Sequence, residues 1–303
     1  MRYKIQLLFS LIFIYSSFSF ASIPDSTVSM FLPKKESKGP IGWEFSGNFG
    51  VYFANKYHAS FYNGQKSNIN NIDFVFNNKY WNDNIKNSLL STVNRDSFML
   101  SELPSSMKYS SSMYVGFGAR YNFNPKWAFN LEFNFVKLTA KDVFTLELFP
   151  AFDNESHSYV QYPIWGIETR TNIQVGAIHT FNTEKLIRPF VEGGLIFTNT
   201  LVKESKISIE DNEYNLVNIY TGNYVPNSNT QENIIRQGGL AFGGYASGGA
   251  KLVFSNFVSL ELLVTLFYNK INLDLNKYPD FKFQEAAMFR LVLSPGFFIS
   301  KSE

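Results

Sequence analysis

Nine ionisable residues stand at alternate positions within runs of otherwise apolar sequence: Glu44, Glu132, Glu168, Glu192 and Glu261, and against them Arg120, Arg170, Lys251 and Arg290. Five carboxylates nearly balance four cations, and all share the polar parity of their runs. Side chains on one face of a narrow closed sheet are removed from bulk water, so charges there must pair or hydrogen-bond. The favoured reading is a structural plug of salt bridges. A permeation path or a proton relay along the same groups is the alternative. Carboxylate pairs that cleave glycosidic bonds require an open cleft between them, which such a geometry does not offer.

Other chemistry is sparse. The chain has no cysteine, which excludes disulfides, thiolate nucleophiles and cysteine-ligated metals. Its three histidines are His58, His157 and His179. His157 lies between Ser156 and Ser158, but neighbours on an extended chain point apart, so this is poor geometry for a Ser-His dyad. Gly116, Gly118, Gly243, Gly244, Gly248 and Gly249 precede no helix and carry no phosphate-loop lysine, so they read as relief of crowding in a tightly coiled wall. A net charge of only +2, from 27 basic and 25 acidic residues, gives no footprint for nucleic acid. No cofactor is indicated.

The elements that must position these groups are strands. Ile41, Trp43, Phe45, Phe49, Val51 and Phe53 alternate with Glu44, Ser46, Asn48 and Gly50, a period-two pattern. The alternation returns around 113–123, 127–135 with a continuation towards 149, 165–177, 189–202 (the least regular), 237–254, 258–268 and 287–299. The count is eight. Connections near 124–126, 182–187 and 255–257 are short, whereas those at 61–107, 150–160, 203–236 and 274–282 are longer. Short and long therefore alternate. Hydrocarbon satisfies no backbone N–H or C=O, so a sheet in a bilayer must close on itself and alternate apolar outward with polar inward residues. The sequence thus predicts an all-β fold: a closed eight-stranded antiparallel up-and-down transmembrane β-barrel with long outer loops and strands of about 14 to 20 residues.

Residues 1–21 read as a secretory signal peptide, with Arg2 and Lys4 before a short apolar stretch and Ala21 at the cleavage point. Residues 22–40, with three prolines, read as a flexible periplasmic leader, and 41–303 as the outer-membrane barrel.

On these residues the chain resembles the small eight-stranded outer-membrane barrels related to the OmpA membrane domain, OmpX and PorT-type proteins. The resemblance spans about 41 to 300 and includes an aromatic-rich end, Phe297 and Phe298, similar to the C-terminal signal read by the barrel assembly machinery. It departs from the usual pattern in the trailing residues 299–303 and in lacking a peptidoglycan-binding domain. The resemblance implies the outer membrane of a Gram-negative bacterium, contact with outer-membrane lipid, and the assembly machinery as a partner during insertion.

The longest irregular segment, 61–107, is rich in apolar residues, and a short helix over 82–94 would align Ile85, Leu89 and Val93. Tyr80 and Trp81 lie there beside Asn77, Asn78, Asn82 and Asp83, a composition suited both to anchoring the loop and to binding a partner. The reading favoured is a non-enzymatic barrel whose outer loops contact an envelope machine or a surface ligand. A porin-like barrel for small solutes is the alternative, and a lipid A-modifying enzyme a third.

Overall fold

The computed structural model describes residues 41–90, 95–150, 156–217, 236–274, 278 and 280–294. The signal and leader segments, Val93, and the aromatic pair Phe297 and Phe298 lie outside the described residues. Strand β1 (Gly42–Phe53) leads into a loop segment holding helices α1 (Lys56–Ala59), α2 (Asp73–Phe76) and α3 (Lys79–Leu90) and strands β2 (Arg95–Glu102) and β3 (Lys108–Tyr109). Strands β4 (Ser112–Asn122), β5 (Trp127–Pro150), β6 (Ser158–Thr180), β7 (Ile187–Ile209), β8 (Asn212–Asn215), β9 (Gly238–Val253), β10 (Val258–Asn269) and β11 (Lys282–Leu293) follow.

Eight of these strands form a ring. β4, β5, β6, β7, β9, β10 and β11 pair antiparallel in succession, and β1 bridges β4 and β11, closing the sheet from Phe45 opposite Leu293 to Phe53 opposite Glu285. The barrel is therefore an eight-stranded meander, with three tight connections at one end and the long ones at the other. At the turn end, Asn124 Oδ1 accepts from the N–H groups of Lys126 and Trp127, and Ser255 Oγ from those of Phe257 and Val258. These side chains satisfy the backbone where the ladder stops.

The strands depart from the range of about 14 to 20 residues inferred from the sequence. β1, β4, β10 and β11 have 11 or 12 residues, whereas β5, β6 and β7 have 24, 23 and 23. The barrel has one tall wall. Along β5 the apolar face changes side as the wall rises: Phe129, Leu131, Phe133 and Phe135 point outward, then Val136, Leu138, Ala140, Phe144 and Leu146 point inward with Lys137 and Lys141 outside. A sheet leaving hydrocarbon for water must exchange its faces in this way, because the outer side becomes wet and the inner side acquires a core. The outward apolar stretch of β5, residues 127–135, matches the roughly 9 to 11 residues with which a tilted strand crosses a bilayer.

The inward apolar residues of the wall pack against the loop segment. Ile72, Val75, Ile85 and Leu89 from the helical segment join Phe144, Leu146, Ile164 and Ile207 from the wall, with Tyr214, Leu216, Ile271 and Leu273 from the other long connections, in one buried cluster. β2 extends the wall beside β5, and β8 beside β7. The result is a folded cap. Helix α3 begins at Asn78, whose side-chain oxygen accepts from the N–H groups of Tyr80 and Trp81, an N-cap. It starts three residues before the helix expected from the sequence and carries Ile85 and Leu89 inward as anticipated.

Candidate functional site

The barrel interior is a polar column in two tiers. In the lower tier, nearer the tight turns, Arg120 forms a fork on Glu261 with contacts of 2.6 and 2.9 Å and lies 3.6 Å from Glu44. Lys251 reaches Glu44 at 3.1 Å and Glu261 at 3.8 Å. Arg290 touches three carboxylates: Glu261 at 2.8 Å, Glu192 at 3.1 Å, and Glu132. Cross-strand register explains the assembly, since Glu44 faces Arg120, Glu261 faces both Lys251 and Arg290, and alternate residues of each strand point inward.

Neutral donors complete the coordination of three of the four carboxylates. Asn130 Nδ2 donates to Glu132 at 2.9 Å and to Glu192 at 2.7 Å, Asn48 and Asn134 donate to Glu132, Tyr245 to Glu192, and Ser294 to Glu44. Desolvated carboxylates need this many partners to be tolerated. Arg188, which the irregular alternation around Pro189 obscures in the sequence, is a buried inward cation whose Nε donates to the Lys185 carbonyl at 2.9 Å. It brings the tier to four acids and four bases.

The upper tier holds the other two charges. Arg170 Nε lies 2.6 Å from Glu168 Oε1, and both side chains are fully buried. Glu168 also accepts from the hydroxyls of Tyr62, at 2.6 Å, and Tyr109, at 2.9 Å. Gln284 accepts from Arg170 and from Tyr52, then donates to Asn269 at 2.7 Å. This pair is the joint between barrel and cap: Tyr62 belongs to the cap segment, and its ring lies against Gly166, where a Cβ would fall inside the ring. Burial and the adjacent Glu168 push the Tyr62 hydroxyl well above the ordinary tyrosine value, which keeps it a donor.

The structure separates the two loop aromatics. Trp81 is buried, edge-on to Phe74 and Tyr214 at centroid distances of 5.4 and 6.1 Å, whereas Tyr80 is exposed. Trp81 thus serves the cap's own core, because position 81 falls on the inward face of α3 while position 80 falls outside it.

The histidines occupy three unlike settings. His58 is fully buried beneath the cap, and burial with nearby Arg170 and Lys282 lowers its pKa to about 2. His157, near the tip of the tall wall, places Nδ1 2.6 Å from Glu147 and its ring 4.8 Å from Phe149. His179 sits between Trp127 and Phe181 at 4.4 and 4.6 Å, within the aromatic rim at the turn end. Among the described residues no group of three or more His, Cys, Asp or Glu could hold a metal ion.

Against known proteins, no family model matches the chain and no curated sequence matches it. Solved structures do align at low similarity. Neisserial surface protein A, NspA, has 9% identity and a TM-score of 0.39 over 83% of this chain and 95% of its own. OprG from Pseudomonas aeruginosa has 8% identity and a TM-score of 0.39 over 84% and 95%, and the N-terminal barrel domain of OprF from the same organism 12% and 0.33 over 84% and 97%. The assignment of fold rests on the closed ladder itself.

Proposed function

We propose that the chain is a non-enzymatic outer-membrane β-barrel whose lumen is sealed and whose cap is presented outside the cell for contact with an envelope protein or surface ligand. The observation that carries this reading is the reversal of apolar parity along β5 at Phe135 and Val136, which supports a belt below it in lipid and a cap above it in water. The tight turns then face the periplasm and the cap faces outward. The two-tier column of paired side chains inside the barrel supports an interaction role over a porin-like one. On the cap, Tyr80 is the aromatic available to a partner, with Trp81 behind it as support.

The reading is tested by two measurements on the full chain folded into lipid. Planar bilayers containing it should show little or no steady conductance, and protease added outside intact cells should reach the cap while the belt stays protected. Large, stable channels from the unmodified protein would favour the porin-like alternative.

A further inference from the structure

Just above the lipid belt, the outward face of the tall wall carries lysines that the protein does not neutralise. Lys137 is the first outward residue of β5 beyond Phe135, and Lys141 lies four residues further up. β3 brings Lys108 into register directly opposite Lys141, while on the other side Trp165 is the partner of Lys141. Lys108, Lys137 and Lys141 are exposed, and among the described residues none of the three makes an ion pair. Of the neighbouring acids, Glu204 accepts from Trp165 Nε1 at 3.2 Å and Glu213 holds Lys206 at 2.9 Å, and neither forms an ion pair with these three lysines.

Like charges directly opposite on an antiparallel pair are destabilising, so the Lys108 and Lys141 pairing is a cost that an external anion would offset. Below these lysines the same face of β5 is Phe129, Leu131, Phe133 and Phe135, so the surface is apolar for the depth of a leaflet and then cationic. That is the profile of an amphiphile with acyl chains below and an anionic head above. Lys137 is level with a phosphate at the membrane interface, whereas Lys141 stands six residues, roughly 20 Å along the strand, beyond Phe135. A simple phospholipid head is too short to reach both. We propose that this face binds an outer-leaflet glycolipid with a phosphorylated sugar headgroup, whose anionic groups lie against Lys137 and, further out, Lys108 and Lys141, beside the indole of Trp165. The inference rests on the outer-membrane reading above.

The test uses the full chain folded into phosphatidylcholine vesicles containing bis-phosphorylated lipid A with its inner core sugars, with parallel vesicles carrying the dephosphorylated glycolipid or phosphatidylglycerol. Retained glycolipid is measured by native mass spectrometry after detergent exchange. The unmodified protein should retain the phosphorylated glycolipid in preference to both controls. The triple variant Lys108→Gln, Lys137→Gln, Lys141→Gln should lose on the order of a hundred-fold in affinity, about five-fold per lysine, with the loss shrinking at high salt. In a second variant, Lys108→Glu, an acid opposite Lys141 should raise heat stability in neutral detergent while lowering glycolipid retention. Equal retention of phosphatidylglycerol, or unchanged retention by the triple variant, overturns the proposal and leaves the barrel reading intact. A chain that fails to enter vesicles at all overturns the barrel reading instead.

Discussion

Arg290 holds Glu132, Glu192 and Glu261 from one side chain, so its replacement by methionine, similar in length but uncharged, takes a shared cation from three buried carboxylates at once and leaves Glu132 and Glu192 with neutral donors. The expected loss is about 3 to 5 kcal/mol in unfolding from detergent, read from a urea titration of the folded, fast-migrating form. The exposed pair of Lys206 and Glu213 is the contrast: Lys206→Ala should change stability by about 1 kcal/mol or less. His58 gives a pH prediction. Its pKa falls from about 6.5 in the unfolded chain to about 2 in the folded one, so its contribution to stability is complete above pH 6.5 and is lost as pH falls towards 2. Each unit across that window removes about 1.4 kcal/mol. Amide protection factors in residues 56–90, which correct for the slower intrinsic exchange at low pH, should therefore fall between pH 6.5 and 4.5, and His58→Phe should flatten the response. At this scale the sequence was legible wherever strands alternated cleanly: the nine inward charges stand on the polar parity of their runs. Arg188 was hidden because Pro189 and the glycines of β7 blur that parity, and Tyr62 and Tyr109 because their partner Glu168 lies more than fifty residues away.

Among the elements, the joint between cap and barrel is narrow. Gly166→Ala would drive a methyl group into the Tyr62 ring, displacing Tyr62 from Glu168 and loosening the cap while the ring of strands stays closed. Limited proteolysis should then cut within 61–107 faster than in the unmodified protein, with the heat-modifiable migration of the barrel retained. Trp81→Ala should cost about 3 to 5 kcal/mol of cap stability, while Tyr80→Ala should cost little and act, if at all, on partner capture. Loss of capture in Tyr80→Ala with normal cap stability would support a binding surface there; unchanged capture would remove Tyr80 from it. The eight strands were legible as elements, with starts near those observed for most, but their lengths were not. Period-two patterning marks a single strand only while its apolar side keeps one face, and above Phe135 the apolar residues of β5 change to the inner face. β6 and β7 do the same at Ile164 and Ile207, so their upper halves looked like the start of loops.

At the level of the whole molecule, the cap core draws on residues from 59 to 273, contributed by three of the long connections and by the tall wall. It cannot assemble from the 61–107 segment alone, and it has no cysteine to staple it. Nor would it pass folded through the finished barrel, since the interior of an eight-stranded barrel is only about wide enough for side chains. The seam between β1 and β11 joins positions more than two hundred residues apart. If the cap stands outside the cell, its three contributing connections must cross the membrane unfolded while that seam is still open. Zipping of the seam is then the step that traps them there, and biogenesis runs in one direction because the closed ring leaves no way back.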